Sequence, residues 1–384
     1  MNYELTAEQK EFQQRVREFA TRVLPREYAR ECEEEDEYPF NFWEQMSQAG
    51  YAGLLVPTEY GGSGCGAMEV TLFLEELGRQ FMVSGMWYMV GIIFPVNVLK
   101  AIGTEEQKRQ YFPKLAKGEI RFCFSLTEPS GGSDILSLTS FAAEKGDEFI
   151  LNGEKTFTTA ADVADYLIVI ARTKKRDEVA KVSQGLSMFI VPKDTPGISL
   201  RKLEKIGWRG LHTYQVFYDD VRVPASNLLG EKDMGWQYAA LVLNVERSSG
   251  GLLLGQAEAA FEYALNYAKQ RYAFGKPIGQ FQSIQHQLAN MYIQLETMRM
   301  WSYKVAWMVD QGMNVDVEAA MALLVINQVQ RYITMNGMDI MGGHGVIKDH
   351  DMERFYRQSL SLGLPNTMLR NVVGRYGLGL PRSY

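Results

Sequence analysis

The hydrophobic pattern of this 384-residue chain changes period twice, and that change constrains the fold more than any other feature. Residues 1–118 carry apolar side chains at helical spacing, as in Phe12, Val16, Phe19 and Val23. From about residue 119 to residue 230 the apolar residues alternate, which is typical of strands. The helical period returns from residue 231 to residue 384. The sequence therefore predicts an α+β fold of three domains: an N-terminal helical domain (1–118), a middle antiparallel β-barrel (119–230) and a C-terminal four-helix bundle (231–384).

Two shorter stretches make local predictions. Residues 148–159 alternate around an Asn152-Gly153 pair, which predicts a hairpin with its turn at those two residues. Residues 81–102 are rich in Met, Trp, Tyr and Phe, and such a stretch more often forms protein core than a ligand pocket.

Composition excludes several classes of function. The net charge is −6 and no basic stripe is present, so nucleic acid is not an expected partner. Three scattered cysteines favour a reducing, cytoplasmic location over secretion. No signal peptide is apparent, and the longest apolar runs predict no membrane span. Only four histidines occur, without paired ligand spacing, so no metal site is expected.

Residues 121–134 predict a short strand that opens into a tight polar turn. Pro129 fixes one backbone φ, while Gly131 and Gly132 permit positive φ and close backbone approach. The turn is then expected to offer N–H groups beside three hydroxyls, those of Ser125, Thr127 and Ser133. Such a surface suits the edge of a planar heterocycle and a phosphate.

Residues 124–134 resemble the flavin-binding signature of the acyl-CoA dehydrogenase family, a Thr-Glu-Pro followed by small residues and Ser-Asp. The similarity extends over nearly the whole chain and implies FAD as the cofactor. On this resemblance, Phe124, Leu126, Thr127, Gly132 and Ser133 contact the flavin.

Phe157 and Thr159 lie one period-two step apart on a predicted strand, so they are expected to face the same side. At the matching positions the family places an aromatic ring against the flavin face and a hydroxyl toward its reactive N5 edge. The resemblance therefore adds Phe157 and Thr159 to the cofactor site.

A second cofactor segment is implied farther along the chain. Residues 271–282 resemble the family segment in which an arginine reaches the pyrophosphate of FAD bound by a neighbouring subunit. The cofactor residues implied in this segment are Arg271, Phe274 and Gln282. Residues 341–345 also resemble the family's Gly-Gly-x-Gly loop near the adenosine half of FAD, which adds Gly342, Gly343 and Asp339, the last standing where relatives often carry Gln. A guanidinium fork is preorganised for phosphate oxygens. A cofactor shared between chains implies an oligomer, and the resemblance implies a homotetramer.

One part of the family pattern is missing. Most relatives carry a catalytic glutamate near the C-terminus, but no Asp or Glu follows Glu353 here. Some branches place the base directly before an arginine on the first long C-terminal helix, and Glu246-Arg247 matches that position. Three readings stay open: Glu246 is the base; Glu246 is a surface acid and the chemistry is lost; or Tyr88 or Asp339 serves instead.

The resemblance implies an enzyme that oxidises an acyl-CoA to the trans-2-enoyl-CoA and passes electrons to electron-transfer flavoprotein. Ser133, Arg247 and Tyr88 are the expected substrate contacts. The shortened C-terminal loop favours a bulky or branched acyl group. The similarity is greatest to a bacterial branch that acts on unusual acyl-CoAs, such as the crotonobetainyl-CoA enzymes. The alternatives are a partner-dependent subunit of a hetero-oligomer and flavin chemistry that needs no base.

Overall fold

The computed structural model describes residues 4–132, 134–239, 250–360 and 366–381. Helices form the first part of the chain, and two of them begin with the same reciprocal cap. Thr6 accepts from the Gln9 amide while the Gln9 side chain accepts from the Thr6 amide, and Thr104 and Gln107 repeat the arrangement. The N-terminal helices are α1 (Ala7–Val23), α2 (Arg26–Glu35), α3 (Phe40–Gln48), α4 (Ala67–Tyr88), α5 (Phe94–Ile102) and α6 (Glu105–Ala116).

The apolar centre of this part is α4 and its continuation. Phe81 has non-helical dihedrals (φ −152°, ψ 100°) and kinks α4, and a π-helical turn, Met89–Ile93, joins α4 to α5. By length and composition alone Ala67–Ile102 could cross a membrane, but 83% of its most apolar window is buried inside the protein. The segment is therefore protein core, as predicted for residues 81–102.

The middle of the chain is a sheet of eight strands with the order β6-β7-β3-β2-β4-β5-β8, and β1 pairs with β4. Most pairs are antiparallel, but β1 runs parallel to β4. The predicted barrel is therefore a half-barrel whose path begins at β6 and finishes at β8. The strands are β1 (Phe122–Ser125), β2 (Phe141–Lys145), β3 (Glu148–Thr159), β4 (Tyr166–Arg172), β5 (Leu186–Pro192), β6 (Ile198–Leu203), β7 (Thr213–Pro224) and β8 (Leu228–Leu229).

The predicted turn at Asn152-Gly153 is wrong. β3 runs unbroken through both residues, and the hairpin turn instead joins β2 to β3 at Gly146, which has φ +67°. Gly153, with φ +144°, lies at a bulge where β3 changes register against β7. The Asn152 side chain accepts from the Asp220 amide across that bulge at 2.9 Å. Glycine supplies unusual dihedrals to turns and bulges alike, so its local signal does not distinguish them.

The described C-terminal part is again helical. Its helices are α7 (Gly250–Gln270), α8 (Gln282–Asp310), α9 (Asp316–Met341), α10 (Met352–Leu360) and α11 (Asn366–Val372), and two short strands, β9 (Tyr272–Ala273) and β10 (Lys276–Pro277), lie between α7 and α8. Glycines let α7 touch α4 backbone to backbone: a Cβ on Gly251 would lie 2.1 Å from the Thr71 carbonyl oxygen, and one on Gly255 1.8 Å from that of Glu75. This contact joins the two helical parts of the molecule.

The N-terminal helices meet the sheet at His212, which precedes β7. The ring Nδ1 lies 3.1 Å from a carboxylate oxygen of Asp162, and Nε2 lies 2.7 Å from the backbone carbonyl of Asp36. Both neighbours are acceptors, an arrangement that favours the ring with both nitrogens protonated, and the Asp162 hydrogen bond raises the pKa of His212. Tyr38 donates to the other Asp162 oxygen at 2.5 Å, and the His212 carbonyl accepts from Ala160 at the end of β3.

Candidate functional site

The turn after β1 is attached to β3 through its backbone. β1 lies parallel to β4, which points the chain toward β3 as it leaves Ser125. The Thr156 amide then donates to the Thr127 carbonyl at 2.8 Å. Leu126 is buried, whereas Phe124 and Thr127 are partly exposed. The polar side of the turn therefore faces outward beside β3.

Ser125 does not contribute a free hydroxyl, so its predicted role in the turn is wrong. It is fully buried, and its Oγ lies 3.2 Å from the Thr158 hydroxyl and accepts from Tyr218 at 2.9 Å. Tyr218 lies 93 residues away in the sequence, so local pattern gave no indication of this partner.

Phe157 and Thr159 face the same side, as predicted. Between them Thr158 is buried, while Phe157 is 68% exposed and Thr159 is partly exposed. A register shift between Lys155 and Thr158 gives Phe157 a φ of +57°, a conformation that bulky residues rarely adopt. Such strain at a large exposed aromatic is typical of a functional position.

These residues fit a planar heterocycle. In the described part of the chain neither the Thr127 nor the Thr159 hydroxyl has a hydrogen-bond partner, so both are available to a ligand. A Cβ placed on Gly132 would meet no atom within 4 Å, so the turn is open beside them. A free ring face flanked by two hydroxyls matches the apolar faces and polar edge of an isoalloxazine.

The second predicted group lies on the surface of the helical bundle. Arg271 begins a hairpin in which the Ile278 amide donates to its carbonyl at 2.8 Å, and Phe274 at its tip is 95% exposed with φ +52°. Gln282 is also exposed. Within the described residues the Arg271 guanidinium has no ion-pair or hydrogen-bond partner.

Asp339, Gly342 and Gly343 are also exposed. Tyr267, one turn before Arg271 on α7, places its hydroxyl 3.1 Å from Nδ1 of His344, next to the two glycines. No hydrogen bond among the described residues joins this surface to Thr127 or Thr159. The predicted cofactor residues therefore form two groups, one beside β1 and β3 and one among the C-terminal helices.

The predicted substrate contacts receive little support from the described geometry. Tyr88 is fully buried, its hydroxyl donates to the Tyr51 carbonyl at 3.0 Å, and burial raises its pKa well above the ordinary value. Ser133, Glu246 and Arg247 lie outside the described residues. All four remain predictions.

Three buried carboxylates in the described helical part already have partners. Glu75 accepts from Tyr303 at 2.8 Å, Glu258 pairs with Arg79 and Arg299, and Glu76 holds Arg17. Burial raises the pKa of Glu75. Glu75, Glu76 and Glu258 therefore hold helices together.

Asp162, only three residues beyond Thr159, is also committed to partners. Burial raises its pKa, but hydrogen bonds from His212 and Tyr38 outweigh that effect and leave the pKa lowered. A carboxylate stabilised in this way is a weak base.

Two important residues were missed by sequence reasoning, Glu128 in the turn and Lys155 in β3. Lys155 is fully buried and its Nζ lies 2.8 Å from a carboxylate oxygen of Glu128. A signal was present: Lys155 shares the strand face of Phe149 and Leu151, both buried, and a charged residue there requires a buried partner.

Comparison with known proteins agrees with this architecture. Residues 6–119 match the acyl-CoA dehydrogenase N-terminal domain, residues 123–221 the middle domain and residues 233–366 the C-terminal domain. The chain is 36% identical over 361 residues to the probable acyl-CoA dehydrogenase YngJ of Bacillus subtilis, covering 94% of each chain. It is 31% identical to the solved butyryl-CoA dehydrogenase of Megasphaera elsdenii, with a TM-score of 0.94 over 98% of this chain and 100% of that one.

A further solved structure, the FAD complex of PigA, is 26% identical with a TM-score of 0.92 and covers 99% of this chain and 100% of that one. The helical–β–helical fold and the exposed ring and hydroxyls beside the β1 turn agree with the family matches and with the 36% sequence identity to YngJ over 361 residues. The chain therefore belongs to the acyl-CoA dehydrogenase family.

Proposed function

We propose that this protein is an FAD-dependent oxidoreductase that acts on the CH–CH bond of an acyl-CoA and forms the trans-2-enoyl-CoA. The observation that carries the proposal is the platform formed by Phe157, Thr127 and Thr159, which leaves a ring face and two hydroxyls unpartnered in the described chain. Bound FAD supplies a hydride acceptor for the substrate β-carbon. Phe157 would pack against the flavin ring, and the hydroxyls of Thr127 and Thr159 would donate to its polar edge.

The bundle surface supplies the other half of the cofactor site. Arg271 and the backbone at Gly342 and Gly343 are suited to phosphate oxygens, because an unpaired guanidinium and open glycines permit close approach. Phe274 and Tyr272 stand exposed beside Arg271, and a large exposed apolar patch is typical of an interface. We infer that a second copy covers this surface, in a homotetramer whose FAD contacts two chains.

Glu246 is the proposed base that removes the α-proton of the thioester. The support is by exclusion. No Asp or Glu follows Glu353 in the sequence, and three buried carboxylates, those of Asp162, Glu75 and Glu258, are already held by partners. Arg247 is the proposed contact to the CoA. We expect Ser133 and Tyr88 to contribute to the substrate site, Tyr88 through its ring alone. Electrons then leave to electron-transfer flavoprotein, the acceptor that the family resemblance implies.

The test compares Glu246→Gln with Glu262→Gln, which removes a half-exposed carboxylate on α7. Each purified protein is mixed anaerobically with butyryl-CoA or isovaleryl-CoA, and loss of flavin absorbance is followed. A general base contributes about 10²–10⁴-fold, so Glu246→Gln should slow bleaching by roughly that factor with FAD still bound. Glu262→Gln should bleach like wild type, and the branched substrate should be at least as fast as the straight one.

Two outcomes would count against parts of the proposal. Normal bleaching by Glu246→Gln would remove the base assignment and leave the family chemistry intact. A wild-type chain that holds FAD only with a differently sized partner would instead favour the hetero-oligomer. The cytoplasmic location stays a prediction from cysteine usage.

A further inference from the structure

The carboxylate of Glu128 closes the long loop that follows the β1 turn. Its Oε2 accepts from the Thr139 amide and the Thr139 hydroxyl, both at 2.7 Å, and its Oε1 accepts from the Ser140 amide at 2.9 Å. Residues 128 and 140 are thereby held together, although the described part of the intervening loop carries only a turn at residues 128–131 and a short 3-10 turn, Ile135–Ser137. One side chain thus determines where both ends of the loop lie.

Lys155 attaches that closed loop to the strand that carries Phe157 and Thr159. Its Nζ donates to Glu128 Oε1 at 2.8 Å and to the Leu126 carbonyl at 3.1 Å. The neighbouring Thr156 amide bonds the Thr127 carbonyl, so three consecutive residues of the turn are held by two consecutive residues of β3. The relative position of the two hydroxyls therefore depends on this contact.

The ion pair is buried, so the contact between Lys155 and Glu128 persists only while both groups are charged. Burial alone would raise the pKa of Glu128, but Lys155 and the loop donors hold it at about 2. Burial lowers the pKa of Lys155 to about 8, against the attraction of Glu128. Loss of either charge leaves the other buried without a counter-ion, which disrupts a local structure strongly.

We propose that Lys155 and Glu128 are positioning residues for FAD: their ion pair sets the distance between Thr127 on the turn and Phe157 and Thr159 on β3, so that one flavin can meet all three. The proposal rests on the FAD site proposed above. Neither residue touches the flavin in this arrangement, since both side chains are buried behind the turn and the strand.

The first experiment measures FAD dissociation from the full-length protein by flavin fluorescence, for wild type, Lys155→Met, Glu128→Gln and the double variant. Residues that orient the ligands of a metal ion typically contribute about 10- to 100-fold in affinity, and by analogy each single variant should lose roughly that factor in FAD affinity. The double variant should be no weaker than the weaker single one, because the two residues act as a unit.

The control is Arg17→Met, which breaks the Arg17–Glu76 pair at α1 and α4. It should lower the melting temperature but leave FAD affinity within twofold of wild type. If Arg17→Met and Lys155→Met weaken FAD equally, the effect is one of general stability and the proposal is overturned.

A second readout is the pH dependence of FAD affinity in the wild-type protein. This measurement does not depend on the folding of any variant. Protonated Lys155 is the form that makes the contact, so FAD affinity should fall as the pH rises through about 8 while far-UV circular dichroism, which reports the secondary structure of the whole protein, stays unchanged. The FAD affinity of Lys155→Met should not show this fall with rising pH. Affinity that is constant from pH 6.5 to 9.5 would overturn the proposal, whereas a wild-type chain that binds no FAD at all would instead remove the proposed function.

Discussion

The two groups of proposed cofactor residues differ in what surrounds them. Thr127, Phe157 and Thr159 stand on backbone that is hydrogen-bonded within one chain and held by a buried ion pair. Arg271 and Phe274 lie on an exposed two-stranded hairpin, and Phe274 is 95% exposed.

The difference indicates that the two groups contribute to FAD binding in different ways. The first group, on the sheet, is preformed by folding of a single chain, and its residues are in place before any ligand arrives. The second group, on the bundle, presents charge and apolar surface that the described chain does not use. We therefore expect damage to the sheet group to change FAD binding without changing assembly. In the bundle group, loss of an apolar contact should change FAD binding and assembly together, whereas loss of the arginine should change FAD binding alone.

The strongest test of this contrast is Phe274→Asp. A charge buried at an interface without a partner costs several kcal/mol, which corresponds to at least about 100-fold weaker association. Sedimentation should show smaller species, and FAD affinity should fall in parallel. Ile206→Asp, at another exposed apolar position, should change neither. An unchanged oligomer in Phe274→Asp would show that the bundle surface is not the interface.

Arg271→Ala should separate the charge of the bundle group from its apolar contact. A hydrogen bond to a charged group contributes about 1.5–3 kcal/mol, so FAD should bind roughly 10- to 100-fold more weakly with little change in assembly. Lys269→Ala removes an exposed positive charge two residues away and serves as the control. Equal effects of the two substitutions would mean that general electrostatic attraction, rather than the guanidinium, matters.

Phe157→Gly tests the sheet group. The substitution should raise the free energy of unfolding of the FAD-free protein and lower its affinity for FAD. Glycine tolerates the φ of +57°, so the FAD-free protein should gain up to about 1 kcal/mol in free energy of unfolding. Loss of the aromatic ring should weaken the free energy of FAD binding by about 1 kcal/mol. Phe157→Leu keeps the strained backbone and should weaken FAD without the gain in stability. Denaturant titration and flavin fluorescence measure the two effects, and a Phe157→Gly protein with unchanged FAD affinity would show that the ring is not a flavin contact.

The smallest expected effect concerns His212, which ties the sheet group to the N-terminal helices. Its folded pKa is raised above the ordinary 6.5, so its stabilisation is complete below that pH and is lost as the pH rises through the folded pKa. The size should be about 1 kcal/mol or less. His212→Gln should lack this slope in urea titrations between pH 6 and 8. An identical slope in both proteins would place its origin in other groups.

Much of the fold was predictable because hydrophobic period is a local property. The switches from helical to alternating spacing gave the helical–β–helical order, and the aromatic-rich segment at 81–102 proved to be core. The alternation of Phe157, Thr158 and Thr159 likewise gave the shared face of the first and third residues. Motif residues of both cofactor groups could be named from their resemblance to the family.

The sequence by itself determined the order of helices and strands, the residues proposed for the site, and the absence of any Asp or Glu after Glu353 in the sequence given. Only the tertiary structure decided that Gly153 lies at a bulge, that Ser125 is used internally, and that Lys155 pairs with Glu128. The reason is physical: periodicity and backbone preference act between near neighbours, whereas a buried polar group is satisfied by whatever the fold brings beside it. Tyr218 reaches Ser125 across 93 residues, and Lys155 reaches Glu128 across 27.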